Sequence, residues 1–164
     1  MSEAIDWLPE LITLSGYGGK WHAYLDAIYE VFCDDFLRSK PNFPGKRFAL
    51  KRFPMALGKE ATFWHLIQEG DVEEDRMPDL RRCERIRWPR PIIEAIQTDK
   101  VRLWRNTRGK NERIVIATND FSYVVILDDR ADYALRWTAY CVDQEHRRRK
   151  LEREFEEWKK SQNS

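Results

Sequence analysis

The chain holds 164 residues with 29 Lys and Arg against 28 Asp and Glu, a formal net charge of +1, 42% hydrophobic residues and a mean hydropathy of −0.71. Seven Trp and eight Phe supply apolar surface that a disordered chain lacks, and no run approaches the ~18–20 uncharged apolar residues of a membrane span, so disorder and a transmembrane helix are excluded. Glu3, Asp6 and Glu10 stand where a secretory signal is basic, and Cys33, Cys83 and Cys141 are odd in number and set in apolar patterns, so a cytoplasmic protein with reduced thiols is expected.

Trp21, Leu25, Ile28, Phe32 and Phe36 recur at helical spacing and predict a helix over 20–38, ended by Pro41, Pro44 and Gly45. Residues 47–53 alternate as a short strand that Pro54 breaks, and 58–67 read as a short helix with Glu60 in its first turn. The acidic stretch 69–75 reads as a loop. A second helix is expected over 78–87, ended or kinked by Trp88-Pro89-Arg90-Pro91, with 92–97 resuming it.

After residue 100 the period becomes two. Segments 101–105, 113–117, 123–127 and 133–142 are rich in β-formers, and their short connections holding Gly, Asn or Asp predict an antiparallel meander. A charged helix over 143–160 closes the chain, with Leu151, Phe155 and Trp158 as its apolar stripe and Arg148/Glu152, Lys150/Glu154 and Arg153/Glu157 as i,i+4 pairs. The expected fold class is α+β: N-terminal helices, a four-stranded antiparallel sheet and a C-terminal helix. One domain spans 1–164, made of a helical part (1–45), a core (46–142) and the charged helix (143–164).

The small net charge conceals blocks. Residues 1–37 carry a net −6, 38–59 +7, 60–75 −6, 76–113 +7 and 114–164 −1. Two basic blocks fit a polyanion-binding surface, and they equally fit pairing between neighbouring acidic and basic segments. The crowded Arg81, Arg82, Arg85 and Arg87 carry the same two readings, phosphate contacts or salt bridges to the 60–75 block.

No P-loop, GxGxxG or GxSxG occurs, and the histidines and cysteines have neither CxxC nor HxxxH spacing, so no metal site and no cofactor are expected. In the last strand a period of two puts Tyr133, Leu135, Trp137, Ala139 and Cys141 on one face and Arg136, Thr138 and Tyr140 on the other. The second set is either an anion site on a sheet or an ordinary solvent-facing strand. His65, among Phe63, Trp64, Leu66 and Ile67, either packs as a satisfied residue or emerges beside a cleft; His22 and His146 read as surface residues.

FWHLI at 63–67, DLRRCERIRWPRPII at 79–93 and DFSYVVILDDRADYALRWTAYCV at 120–142 together resemble the phage-associated nuclease families of the barnase/EndoU/colicin/RelE-like (BECR) group. The resemblance covers roughly residues 46–155 and implies helices followed by a four-stranded antiparallel sheet, and metal-independent ribonuclease activity. Carried over, the pattern of those families falls on His65, Arg130, Tyr133, Thr138 and Tyr140. In such a site the RNA 2′-hydroxyl attacks phosphorus, His65 moves a proton, Arg130 with Lys51 or Arg85 offsets the phosphorane charge, and Thr138 and Tyr140 hold phosphate oxygens. Tyr140 is an alternative second proton-transfer group, because only one histidine falls at the site. Lys51, Arg81, Arg85, Tyr133 and Arg136 are the expected phosphate-binding residues. The expected function is a toxin-like ribonuclease yielding a 2′,3′-cyclic phosphate, acting on RNA such as tRNA, with an inhibitor or another phage protein as partner. A non-catalytic nucleic-acid-binding module and a prophage interaction protein are the other readings.

Overall fold

The computed structural model of the chain describes residues 5–70, 76–130 and 133–163, the side chains of 133–137 excepted. The elements run α1 (Trp21–Phe32), β1 (Arg47–Phe48), α2 (Ala61–Ile67), β2 (Gln68–Glu69), β3 (Met77–Pro78), α3 (Leu80–Glu84), α4 (Pro89–Glu94), β4 (Val101–Arg108), β5 (Asn111–Thr118), β6 (Tyr123–Arg130), β7 (Tyr133–Cys141) and α5 (Glu145–Gln162). The fold is α+β, with the antiparallel meander β4-β5-β6-β7, helices before it and α5 after it. Among the described residues no helix is long and apolar enough to cross a membrane.

Several boundaries differ from the sequence expectation for local reasons. The strand expected over 47–53 stops at Phe48, where β1 pairs in parallel with β7, because the backbone of residues 51 and 52 is used elsewhere. The N–H groups of Ala61 and Thr62 donate to the carbonyls of Arg52 and Lys51, each at 3.0 Å, and so start α2. The 58–67 helix therefore begins only at Ala61, after Leu57 and Gly58 at positive φ. Glu69, at the start of the acidic stretch, is strand rather than loop: it pairs with Met77, as Gln68 before it does with Pro78; residues 71–75 lie outside the described residues. The 78–87 helix shrinks to α3, capped by Asp79 Oδ1, which accepts from Arg81 N at 2.9 Å. Pro89, at the first position of α4, starts that helix rather than interrupting it. Strands β4 and β5 run closer together than expected, joined through Gly109 at φ 63° and Lys110.

The sheet has two covered faces. Its front, with Ile114, Ile116, Val125, Leu127 and Ala139, packs against Tyr24, Ile28, Phe32 and Phe63 of the helical half. Its back, with Trp104, Val115, Val124 and Ile126, packs against Phe155, Leu151 and Trp158 of α5. The stripe read on the last helix is thus used, although its charges pair differently. Glu154 accepts from Trp104 Nε1 (2.7 Å) and Asn106 Nδ2 (2.6 Å), and Glu145 pairs with Arg148 and Arg149.

Strand β7 departs from a simple two-residue period. Thr138 pairs with Ile126 and Leu135 with Asp128, so two residues of β7 stand against one of β6. The alternation expected from 133 to 141 is therefore broken. Thr138 and Tyr140 fall on the back face, Tyr140 against the second core rather than solvent.

Candidate functional site

The two faces of α2 differ in chemistry, and that difference makes the site. Phe63, Leu66 and Ile67 are buried in the front core, whereas Ala61, Trp64, His65 and Gln68 recur at i, i+3, i+4 and i+7 and line a groove of about 1090 Å³. Trp21, His22 and Leu25 of α1, the 54–57 turn, Lys51, Arg76 and Thr138 supply the other walls.

Backbone bonding fixes Lys51 beside α2: its N–H donates to Thr62 Oγ1 (2.9 Å), and the same hydroxyl donates to the Lys51 carbonyl (2.8 Å). Trp64 Nε1 donates to the Ala56 carbonyl at 3.0 Å and so ties the 54–57 turn to the helix. That turn is apolar and open: Phe53, Met55 and Leu57 are 68, 42 and 78% exposed. Leu57 sits at φ 52°, a left-handed conformation costly for a leucine.

At the C-terminal end of α2 the chemistry turns cationic. The Gln68 carbonyl accepts from Arg82 Nη1 at 2.6 Å and from Arg76 Nη2 at 3.4 Å. Arg82 Nη1 also donates to Thr138 Oγ1 (3.3 Å), and its guanidinium stands 5.6 Å from the Tyr140 ring centre. Both arginine Nε atoms are buried without a hydrogen-bond acceptor among the described residues, Asp79 Oδ2 standing 4.0 Å from Arg82 Nε. Burial pulls the Arg82 guanidinium below its ordinary pKa, against Asp79 and Glu69, with Arg76 pulling the same way.

Of the expected site residues, His65, Lys51 and Thr138 meet in this groove. Tyr140 does not; it lines a separate depression of about 160 Å³ with Arg81, Asp143 and Arg147, and Arg82 stands between the two hollows. Arg81 donates to Asp143 at 2.7 Å, and Arg85 pairs with Glu84 and lies 5.1 Å from the Trp88 ring centre, so neither lines the groove. Among the described residues, the partners of Arg81 and Arg85 lie outside the 60–75 block, whereas Arg82 donates to the Gln68 carbonyl and faces Glu69 within it. Arg130 is also elsewhere. It pairs with Asp128 at 3.7 Å and stands opposite Tyr133, five residues from Thr138 and roughly 15 Å away along the strand. The side chains of Tyr133 and Arg136 lie outside the described ones.

Sequence reasoning missed Arg76, Arg82's position and His22. Arg76 was legible as the first cation after the acid-only block 60–75, and Trp64 and Gln68 as i,i+4 neighbours flanking His65. No thiol lines the groove: Cys33 and Cys83 are buried, burial pushing the Cys83 thiol up to about 12, and Cys141 lines the smaller depression. Among the described residues no group of three or more His, Cys, Asp or Glu is placed to hold a metal ion. No known protein family, curated protein or solved structure matches the chain, so the groove itself is what its function has to be read from.

Proposed function

We propose that the groove binds a single strand of RNA and that His65 takes part in cutting it without a metal ion. The observation that supports this most directly is the position of His65 on α2. It lies on the groove-lining stripe between Trp64 and Gln68, in a groove that also holds Lys51, Arg76 and Thr138. Aromatic surface beside fixed cations is the arrangement that sequence-tolerant single-strand binding uses, bases on rings and phosphates on Lys and Arg. The resemblance of 63–67, 79–93 and 120–142 to BECR nucleases points the same way.

In the reaction the RNA 2′-oxygen loses its proton to one imidazole and bonds to phosphorus. The bond to the 5′-oxygen breaks as that oxygen takes a proton from a second group, leaving a 2′,3′-cyclic phosphate and a 5′-hydroxyl. His65 supplies one transfer. His22 of α1 lines the same groove and takes the second role that the sequence left open. Histidine is the side chain most often used for such transfers. Lys51 offsets charge on the phosphorane.

The test is incubation of tRNA and of a labelled single-stranded RNA in EDTA with the wild type, His65→Ala and His22→Ala. Cyclic-phosphate product from the wild type and a loss of about 10²-fold or more in each variant is the expected result. Cleavage that survives His65→Ala overturns the role of His65. Salt-sensitive binding without any product leaves the groove as a binding site and removes the enzyme reading.

A further inference from the structure

The groove changes character along α2. Trp64 and the 54–57 turn give it an apolar wall, and one helical turn further, about 6 Å at 1.5 Å per residue, Gln68 and Arg76 give it a cationic end. That end leaves guanidinium hydrogen-bonding capacity unused, with Asp79 and Glu69 as the carboxylates that face Arg82. Two guanidinium groups converge on one neutral carbonyl oxygen, which accepts from both. Each keeps a buried Nε with no acceptor among the described residues. The Arg82 side chain is only 13% exposed, and its ion pair with Asp79 is loose at 4.0 Å. Like charges brought this close at a partly buried place repel unless an anion joins them.

Thr138 completes the arrangement. Its Oγ1 accepts from Arg82 Nη1 and lines the groove, so the hydroxyl keeps its own hydrogen to donate. Arg76 lines the groove as well, while Arg82 stands behind Thr138 and does not.

We infer that Arg76 and Thr138, with Arg82 holding Thr138 from behind, form a binding site for the phosphate of a nucleotide whose base lies toward Trp64. Arg76 and Thr138 contact the phosphate oxygens, and Arg82 is a positioning residue that also adds charge. The anion site rests on the arginine geometry: Asp79 and Glu69 offset Arg82 in part, yet neither buried Nε has an acceptor among the described residues. The choice of a nucleotide rests on the proposed reading of the groove as an RNA site, since a ribose spans about the distance from the apolar wall to the cationic end. Phosphate held there is one step away from the phosphate beside His65, so the site would set where along a strand the cut falls.

The experiment titrates the intact protein, at low salt and without RNA cleavage being needed, with inorganic phosphate and separately with a nucleoside 3′-monophosphate, by calorimetry. Both should bind, the nucleotide more tightly. Arg76→Gln and Thr138→Val should each weaken nucleotide binding, Arg76→Gln by about tenfold or more, and Arg108→Gln, an exposed arginine of β4, should leave it unchanged. Arg82→Met should weaken it too. If Arg82→Met does not fold, as judged by circular dichroism, Arg76→Gln and Thr138→Val still decide. Equal affinity for phosphate and nucleotide overturns the nucleotide assignment. No binding of either ligand, or an equal loss in Arg76→Gln and Arg108→Gln, overturns the site. A wild type that binds nucleotide but cuts no RNA overturns the proposed nuclease and leaves this site standing.

Discussion

The two faces of the sheet spend buried polar groups differently. On the back, the described polar groups at the core are paired: the Trp104 indole, fully buried, donates to Glu154, which also accepts from Asn106, and the rings of Trp104, Phe121 and Phe155 pack at 5.7–6.0 Å. The front has a larger core but leaves charge only partly compensated at its margins, in the Arg76–Arg82 pair, with Asp79 4.0 Å from Arg82, and at Asp35 after α1, which Arg90 partly offsets. Buried charge without a partner is unfavourable, so a fold keeps it where something else selects for it. On the proposed reading the centre of the back face is support, and binding falls on the groove beside α2, where the edge strand β7 contributes Thr138.

This division is sharpest under paired substitutions. His65→Ala should reduce RNA cleavage by about 10²- to 10⁴-fold while circular dichroism and melting temperature stay near those of the wild type. Phe155→Ala, which removes a side chain only 8% exposed, should do the reverse. A stability loss of ~3–5 kcal/mol is expected, measured by urea denaturation, with undiminished activity per folded molecule below the transition. Trp104→Phe keeps the ring but leaves the Glu154 carboxylate with one fewer donor, and should lose roughly 1–3 kcal/mol by the same measurement. A Phe155 or Trp104 variant that lost activity while fully folded would break the division between the faces.

The architecture was legible because it rests on periodicity. Trp21 to Phe36 and Leu151 to Trp158 hold one stripe each, and the four strands alternate between turn residues. What escaped was every place where the backbone serves a neighbour instead of its own element. Residues 51 and 52 read as strand but bond to the start of α2, and the bulge between 135 and 138 shifts the register of β7. The bulge leaves the register regular from Thr138 to Cys141, so Thr138 and Tyr140 still share a face. What the sequence hid is that this face is covered: Tyr140 packs against the α5 core instead of solvent, while Thr138, on the same face, reaches the groove. Arg130 and His65 lie 65 residues apart, and nothing in local spacing reports that the sheet carries Arg130 to its other end. His65, Lys51 and Thr138, which do meet in the groove, were reached through the resemblance and the strand alternation, since no local spacing reports the groove itself.

The smallest expected effect tests whether the front really carries charge that is only partly compensated. Burial raises the Asp35 carboxyl from its ordinary value of 3.8 to about 6; Arg90 and Arg87 oppose the rise, and Asp34 and Glu94 add to it. The folded chain thus holds this proton more tightly than the unfolded chain does. The stability that protonated Asp35 contributes is fully present below about pH 4 and is lost as pH rises through about 6. At pH 7 the ionised carboxylate is a cost, moderated because the residue is partly exposed. Asp35→Asn should therefore stabilise the protein at pH 7 by roughly 1 kcal/mol or less and flatten the fall in urea midpoint between about pH 4 and 6. An Asn variant that is less stable at pH 7, with an unchanged pH profile, would mean that Arg90 fully compensates Asp35. The contrast between the faces would then rest on Arg76 and Arg82 alone.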